Sequence, residues 1–399
     1  MPSVTNYPVY LGQLDYLLEP FIADIDDATV KKHLKLFFTN IDRTVLDSFS
    51  HADIGPKATR AGYLILEVQA ELENAIPNIS MKYDPEITDN DFALACVKCA
   101  LKTAKPSFAN HQMFKNELGE NYVIASCYNG LLLGGGAYTL CRLILGHIAE
   151  RSEGIEDFEK NKLPYVMDVM AKYMDARIAF EVEQSGFFEA NFLAKEGLIH
   201  RDRFTGMFGL VGLADAVNIL MTKEGRNDRF GHSDAATQLG VEIMDIINDF
   251  NNNHFNKYCE GTGGHFLLHA QVGIAEDKGI APGTRIPIGE EPDELVDHLD
   301  VISHFHKYFV SGTGDIFPMD LTVHKNPEYV LDIIKGSWQK GIRYLSFYSS
   351  ESDVIRITGY LVKRSEIEKY EQGIAVLQNT TQLGTGAKHN GKILERKVR

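Results

Sequence analysis

The chain has 399 residues, 44% hydrophobic and 24% charged, with 34 Gly and 13 Pro, a balance that excludes collagen-like, coiled-coil and disordered classes. Fifty-five acidic residues against 40 basic give a net charge of −15, which argues against nucleic acid as a partner, because phosphate binding needs a positive field that survives counterion competition. In chain order, residues 2–18 read as a loop and a helix belonging to a larger assembly. Residues 78–83 alternate with period two and stop at Asp84-Pro85, so a strand is predicted there. The cap-rich run Thr88-Asp-Asn-Asp91 opens a helix through Leu101. Residues 107–110 and 121–126 read as strands, and residues 137–149, 163–180 and 235–250 as helices. Pro327 opens a further helix closed by Gly341, residues 342–348 and 354–358 are strand-like, and Ser365 caps a last helix to about Leu377.

Strands separated by helices imply βαβ units and mostly parallel pairing, so the expected fold is an α/β barrel. At about 150 residues per domain the length allows two or three domains. No Pro- or Ser-rich linker divides the chain, however, and one domain over residues 1–399 is the better reading. The abrupt start suggests a missing N-terminal segment or an unusually compact version of the fold.

Two stretches invite other classes. Residues 122–141 carry no charge and reach the length of a membrane span, but Ser126, Asn129, Thr139 and four glycines make them too polar and breakable. They read as a buried strand, a loop and the start of a helix, so no membrane partner is expected. The basic run from Lys388 to Arg399 reads as a solvated tail. Five cysteines, with no basic-then-apolar signal after Met1, fit a reducing cytoplasm. Cys96 and Cys99 share a helical face, and no second Cys-x-x-Cys completes a zinc site.

A glycine inside the β-branched run Arg356-Ile-Thr-Gly359-Tyr360 is locally unfavourable. From pattern alone it marks a bulge or a close backbone approach. The alternative is a backbone Cα radical, which glycine suits because the radical can flatten between two amides with no side chain in the way. This segment, forty residues from the end, resembles the signature of glycyl radical enzymes. The runs Leu361-Val-Lys-Arg-Ser-Glu-Ile-Glu-Lys-Tyr370 and Gly391-Lys-Ile-Leu-Glu-Arg-Lys-Val-Arg399 look like the YjjI-type glycyl radical family. Residues 204–218 and 338–342 are similar to anaerobic, class III ribonucleotide reductases, and pyruvate formate-lyase-like enzymes belong to the same wider group.

The resemblance implies a barrel in which a cysteine loop and a glycine loop meet. It implies Gly359 as the radical site, with Arg356, Thr358 and Tyr360 around it in a radical-loop region over residues 350–370. It also implies a cysteine that passes hydrogen between glycine and substrate. Cys127, at a strand end before Asn129-Gly130, is the best candidate, and Cys259 is the reserve. Asn129, Glu260, His265 and His269 are candidates to line the pocket of a small polar organic substrate.

The implied partner is a separate radical-SAM activating enzyme, which uses S-adenosylmethionine and an iron–sulfur cluster to install the radical; no permanently bound cofactor and no metal are expected, and a homodimer is compatible with the family. Two departures narrow the chemistry. No cysteine follows Cys259, so the four-cysteine zinc site of the anaerobic reductases is missing. Asn129 stands where diol- and choline-type eliminases carry a glutamate base, and a neutral amide cannot remove a proton at neutral pH. Two other classes remain open: a non-catalytic or truncated homologue that binds a ligand, and a metal-dependent hydrolase using His265, His269, His298, His304 or His306 with Glu260 or Asp300. For activation the 350–370 segment must open locally, and hydrogen exchange is expected to find it less protected than the barrel strands.

Overall fold

The computed structural model describes residues 9–44, 50–125, 128–270, 279–377 and 379–399. Six strands form one sheet: β1 (Val9–Gln13), β2 (Ser50–Ile54), β3 (Asn78–Tyr83), β4 (Ser107–Asn110), then β11 (Tyr344–Ser349) and β10 (Asp315–Met319). All neighbours in it are parallel except β4 and β11, where Tyr344 faces Ala109 across an antiparallel join. A three-stranded parallel sheet contains β7 (Gly136–Ile144), β8 (Phe204–Val211) and β9 (Leu267–Ala270). Two antiparallel hairpins complete the strands: β5 (Tyr122–Ala125) with β6 (Asn129–Leu132), and β12 (Val354–Arg356) with β13 (Leu361–Lys363).

Side-chain alternation sorts the six-stranded sheet into two chemically different faces. On β2 to β4 and β11, Ala52, Ile54, Ile79, Met81, Phe108, Leu345 and Phe347 join one apolar core, packed under the helices Arg60–Leu72, Asn90–Thr103 and Pro327–Gln339. The intervening residues, His51, Asp53, Asn78, Ser80, Lys82, Ser107 and Ser346, are equally buried yet polar. A buried polar face must find partners within the protein, so this side of the sheet forms a polar lumen. A second apolar core surrounds β8 and the helices Leu163–Glu183, Leu213–Lys223 and Asp234–Asn253.

Four sequence expectations need correction. The basic run from Lys388 to Arg399 is not a solvated tail, because Arg396 within it is buried against the Arg356 and Ile357 carbonyls. Residues 137–149 were expected as a helix. They form the strand β7 and then the short helix Leu145–Glu150, because the register with β8 from Gly136 to Ile144 satisfies the backbone of this run. The strand expected over 354–358 ends at Arg356, and Ile357 to Tyr360 form a turn closed by the Ile357 N–H to the Tyr360 carbonyl, 3.0 Å. The helix expected to be capped by Ser365 and to run to about Leu377 spans Arg364–Glu371 instead, with Ser365 inside its first turn and bonded to Asp353, and a further helix follows over Asn379–Asn390. Residues 2–8 of the expected N-terminal element lie outside the described residues, while β1 and the helix Leu14–Ile22 follow them.

The two faces should respond differently to substitution. Phe108 is fully buried, with its ring edge-on to Tyr83 and Phe347, and Phe108→Ala should cost about 3–5 kcal/mol. Ser107 shares one hydroxyl bond of 2.7 Å with Ser346, and Ser107→Ala should cost about 1 kcal/mol. Urea midpoints of the two variants read the difference directly.

Candidate functional site

Gly359 lies at the tip of the β12–β13 hairpin, and every residue from Val354 to Tyr360 is buried. The tip is held from β3. The Asn78 side-chain amide donates to the Gly359 carbonyl at 2.8 Å, and its oxygen accepts from the Arg356 guanidinium at 2.7 Å. Arg356 also donates to the Ala104 carbonyl at 3.1 Å. From the other side Arg396 donates to the carbonyls of Arg356 and Ile357 at 2.7 and 2.5 Å. Two buried guanidinium groups, Arg356 and Arg396, therefore anchor the segment that leads to the glycine. The Thr358 hydroxyl is buried without a hydrogen-bond partner, and Tyr360 packs in the apolar cluster beneath the hairpin.

Tyr128, the described residue next to Cys127 in sequence, lines the same lumen. Cys127 and Ser126 lie outside the described residues, but Tyr128 is fully placed. Its ring lies 5.8 Å from Tyr344 and 5.8 Å from His269, and its hydroxyl donates to the Ala270 carbonyl at 2.7 Å. Tyr344 in turn shares a 3.1 Å bond with Ser80, two residues along β3 from Asn78 and so about 7 Å away. Gly312 makes the approach feasible: its φ is +125°, and a Cβ there would sit 2.0 Å from the Tyr128 carbonyl oxygen. Gly130 N–H then donates to the Ser311 carbonyl at 2.8 Å, fixing the return strand.

A buried ion pair anchors this β5–β6 hairpin to the sheet. Asp53 and Lys82 are 3.5 Å apart at 0% and 5% side-chain exposure. Asp53 accepts from Tyr10 at 2.9 Å and from the Ile124 N–H at 3.0 Å, and Lys82 donates to the Tyr122 carbonyl at 2.9 Å. Burial pushes the Asp53 carboxyl up, with Lys82 and both donors opposing it. The extra hydrogen bonds are what a desolvated ion pair needs to persist.

The remaining predicted residues separate. Asn129 is buried at the start of β6, and its side-chain oxygen has no partner. His269 is buried beside Tyr128. Glu260 is exposed on the turn Glu260–Thr262, and His265 is half-buried with its Nδ1 3.0 Å from the His254 carbonyl. The reserve thiol, Cys259, is buried in the second apolar core, and burial raises it. Cys141 is on β7 rather than on a helix. Sequence reasoning missed Asn78, Asp53, Lys82, Arg396 and the Ser311-Gly-Thr-Gly314 turn; the paired glycines of that turn were the signal that a close backbone approach was required.

The histidines do not assemble as ligands. Among the described residues no group of three or more His, Cys, Asp or Glu is arranged to hold a metal ion. His306 accepts the Arg343 N–H at Nδ1, 2.9 Å, so its Nε2 carries the proton and faces Asp315 at 3.4 Å. An imidazole held at both nitrogens has no lone pair left for a metal.

The fold is shared with solved glycyl radical enzymes and their relatives. A glycyl radical enzyme from Archaeoglobus fulgidus superposes with a TM-score of 0.76 at 13% identity, over 98% of this chain and 65% of that one. The glycerol-bound B12-independent glycerol dehydratase from Clostridium butyricum gives 0.74 at 12% identity, over 99% and 64%. The anaerobic ribonucleotide reductase from Thermotoga maritima gives 0.70 at 15% identity, over 94% and 75%. The chain thus spans about two thirds of the length of the first two structures. It belongs to the YjjI-like glycyl radical enzyme family, whose model matches residues 1–399. It is 47% identical to an uncharacterized protein of Haemophilus influenzae and 42% identical to the uncharacterized protein YjjI of Escherichia coli, over the whole of this chain and 78% and 77% of theirs.

Two lumen histidines give the site a pH signature. Burial, with the neighbouring Arg356 charge, lowers His51 to about 3, and burial lowers His269 to about 4. Both stay neutral in the fold but protonate near 6.5 when unfolded, so stability is full above pH 6.5 and is lost as pH falls toward these values. At pH 5 each should cost about 2 kcal/mol relative to pH 7. Urea unfolding of the parent and of His269→Asn at both pH values should show a smaller loss in the variant.

Proposed function

We propose that this chain is a glycyl radical enzyme acting on a small polar organic molecule in an anaerobic cytoplasm. Gly359 stores the radical and Cys127 relays it. The observation that carries this reading is the Asn78 bridge, which holds the Gly359 carbonyl and Arg356 at the tip of a buried hairpin. Support for Cys127 is indirect and comes from its neighbour Tyr128, which packs in the same lumen two contacts away from β3.

The proposed cycle balances without an external oxidant. The Gly359 Cα radical takes the hydrogen atom from the Cys127 S–H, leaving a thiyl; the thiyl takes a hydrogen atom from a substrate C–H, and after rearrangement the atoms return in reverse. S–H and glycyl Cα–H bonds are close in strength, so the relay is nearly thermoneutral. Initial removal of the Gly359 hydrogen is assigned to a separate radical-SAM activating enzyme, whose iron–sulfur cluster supplies the electron that cleaves S-adenosylmethionine. Closure of the lumen shields the radical from solvent. Asn129, with a buried oxygen that lacks a donor, is suited to accept a substrate hydroxyl. It orients the substrate rather than deprotonating it.

The test is anoxic incubation with a cognate activase and S-adenosylmethionine, followed by EPR and then by mass analysis after exposure to air. A doublet organic radical and oxygen-dependent cleavage at Gly359 are expected, both absent in Gly359→Ala. Cys127→Ser should keep the radical and lose substrate turnover. Asn78→Ala should fold with a loss of about 1–3 kcal/mol, from the two buried partners left unpaired, and should accumulate less radical. Silence with an activase proven on a longer relative would instead favour a binding protein.

A further inference from the structure

Beside the radical hairpin lies a cavity of about 420 Å³, lined in part by Ile357, Thr358, Arg285, His298 and Arg396. Its wall presents hydrogen-bond donors that nothing accepts from. Arg285 is 9% exposed; its Nε donates to the Gly314 carbonyl at 2.6 Å, and its Nη2 is buried without a partner. His298 Nδ1 lies 3.0 Å from an Arg399 nitrogen. Arginine can only donate, so Nδ1 is the acceptor and the His298 proton sits on Nε2. That Nε2 is buried, 3.8 Å from Asp315 and too far for a hydrogen bond. The Thr358 hydroxyl, one residue from Gly359, is the third buried group without a partner.

Charge points the same way. Arg285, Arg356 and Arg396 are all buried around this segment, and Asp315 is the buried carboxylate among them, 4.0 Å from Arg285. Burial alone would raise Asp315, but the facing N–H groups of His298 and His306 and the Arg285 charge outweigh it and hold the carboxyl well below its usual range; both imidazoles being neutral, its charge answers that of Arg285 alone. The other acidic lining residues have their own partners: Asp215 accepts the Ala281 N–H at 2.8 Å, and Glu290 pairs with Arg229 at 2.5 Å. Glu291 lies within 3.4 Å of the Lys397 N–H. Excess buried positive charge with three idle groups is costly unless a ligand supplies acceptors.

We infer that this cavity receives the oxyanion end of the substrate, a carboxylate or a phosphate ester, on Arg285, His298 and Thr358. The inference rests on the radical reading above, because Thr358 places the anion next to Gly359. Arg285 also lies 6.0 Å from the ring of Tyr128, the residue that follows Cys127 in sequence, so an anion on Arg285 leaves the rest of the molecule on the Tyr128 side of the cavity. The expected substrate is thus a short hydroxylated acid or phosphate ester rather than a neutral polyol. A guanidinium fork is the side chain that binds either oxyanion through two parallel bonds.

Calorimetry on the unactivated full chain tests this without needing the radical. The probes are D-glycerate, glycerol 3-phosphate and glycerol, which share a carbon skeleton and differ in carrying a carboxylate, a phosphate or no anion. One of the two anions is expected to bind at least about tenfold more tightly than glycerol, and which one it is identifies the class. Arg285→Gln should lose about tenfold or more, Arg285→Lys should keep the preference for the anion with weaker binding, and Thr358→Val should lose a few-fold. Circular dichroism and thermal midpoints of the three variants separate a lost site from a lost fold. Glycerol binding as tightly as both anions, full anion affinity in folded Arg285→Gln and Thr358→Val, or no heat from either anion at about 10 mM would overturn the inference. Anion binding with no EPR signal after activation would count against the radical reading alone, and a radical without anion preference against this one alone.

Discussion

Everything at this site depends on one side chain of β3. Asn78 donates its amide N–H to the Gly359 carbonyl and accepts the Arg356 guanidinium at its amide oxygen, so a single planar group fixes both a backbone position and a charged side chain. A hairpin tip with no side chain at its key residue cannot be positioned by packing alone. It must be held by its carbonyl groups, and Asn78 and Arg396 hold those of Arg356, Ile357 and Gly359. Because the holding groups sit on β3 and near the C-terminus, the geometry exists only when distant parts of the chain have come together.

The polar lumen follows from the same constraint. The helix-facing side of the sheet is apolar and would fold on its own account, whereas the lumen side buries Asp53, Lys82, His51 and Ser80 at a desolvation cost. That cost is offset pair by pair. Asp53 with Lys82 ties β5 to β2 and β3, Ser80 meets Tyr344, and Ser107 meets Ser346. Such a lining specifies one arrangement of the loops better than a greasy interior would, since each donor has a defined acceptor. Among the buried groups left without partners, those on Asn129, Arg285, His298 and Thr358 are the ones that the proposed substrate would engage.

Much of the scaffold was legible beforehand. The strand Asn78–Tyr83 ends before Asp84-Pro85 as alternation and proline predict, the strand Ser107–Asn110 matches its predicted range, and the helix Pro327–Gln339 starts at its proline. Gly359 stood out because glycine is out of place in a β-branched run. What misled was β7, a largely apolar run whose spacing does not separate helix from strand; pairing with β8 decided between them. The turn at Ile357 to Tyr360 was hidden for a related reason, since β-branched residues are locally content in a strand and only the packing of the hairpin into the lumen breaks the run.

By itself, then, the sequence determined the alternation of strands and helices, the apolar faces that drive them together, and the one glycine that local preference does not explain. These are properties of neighbours along the chain, where spacing alone carries the information. Only the tertiary structure decided that Asn78 would hold Gly359, that Asp53 and Lys82 would pin β5, and that Arg285, His298 and Thr358 would share a cavity. Those contacts join residues from tens to nearly three hundred positions apart, and a hydrogen bond is set by distance and angle in space, which no local pattern encodes.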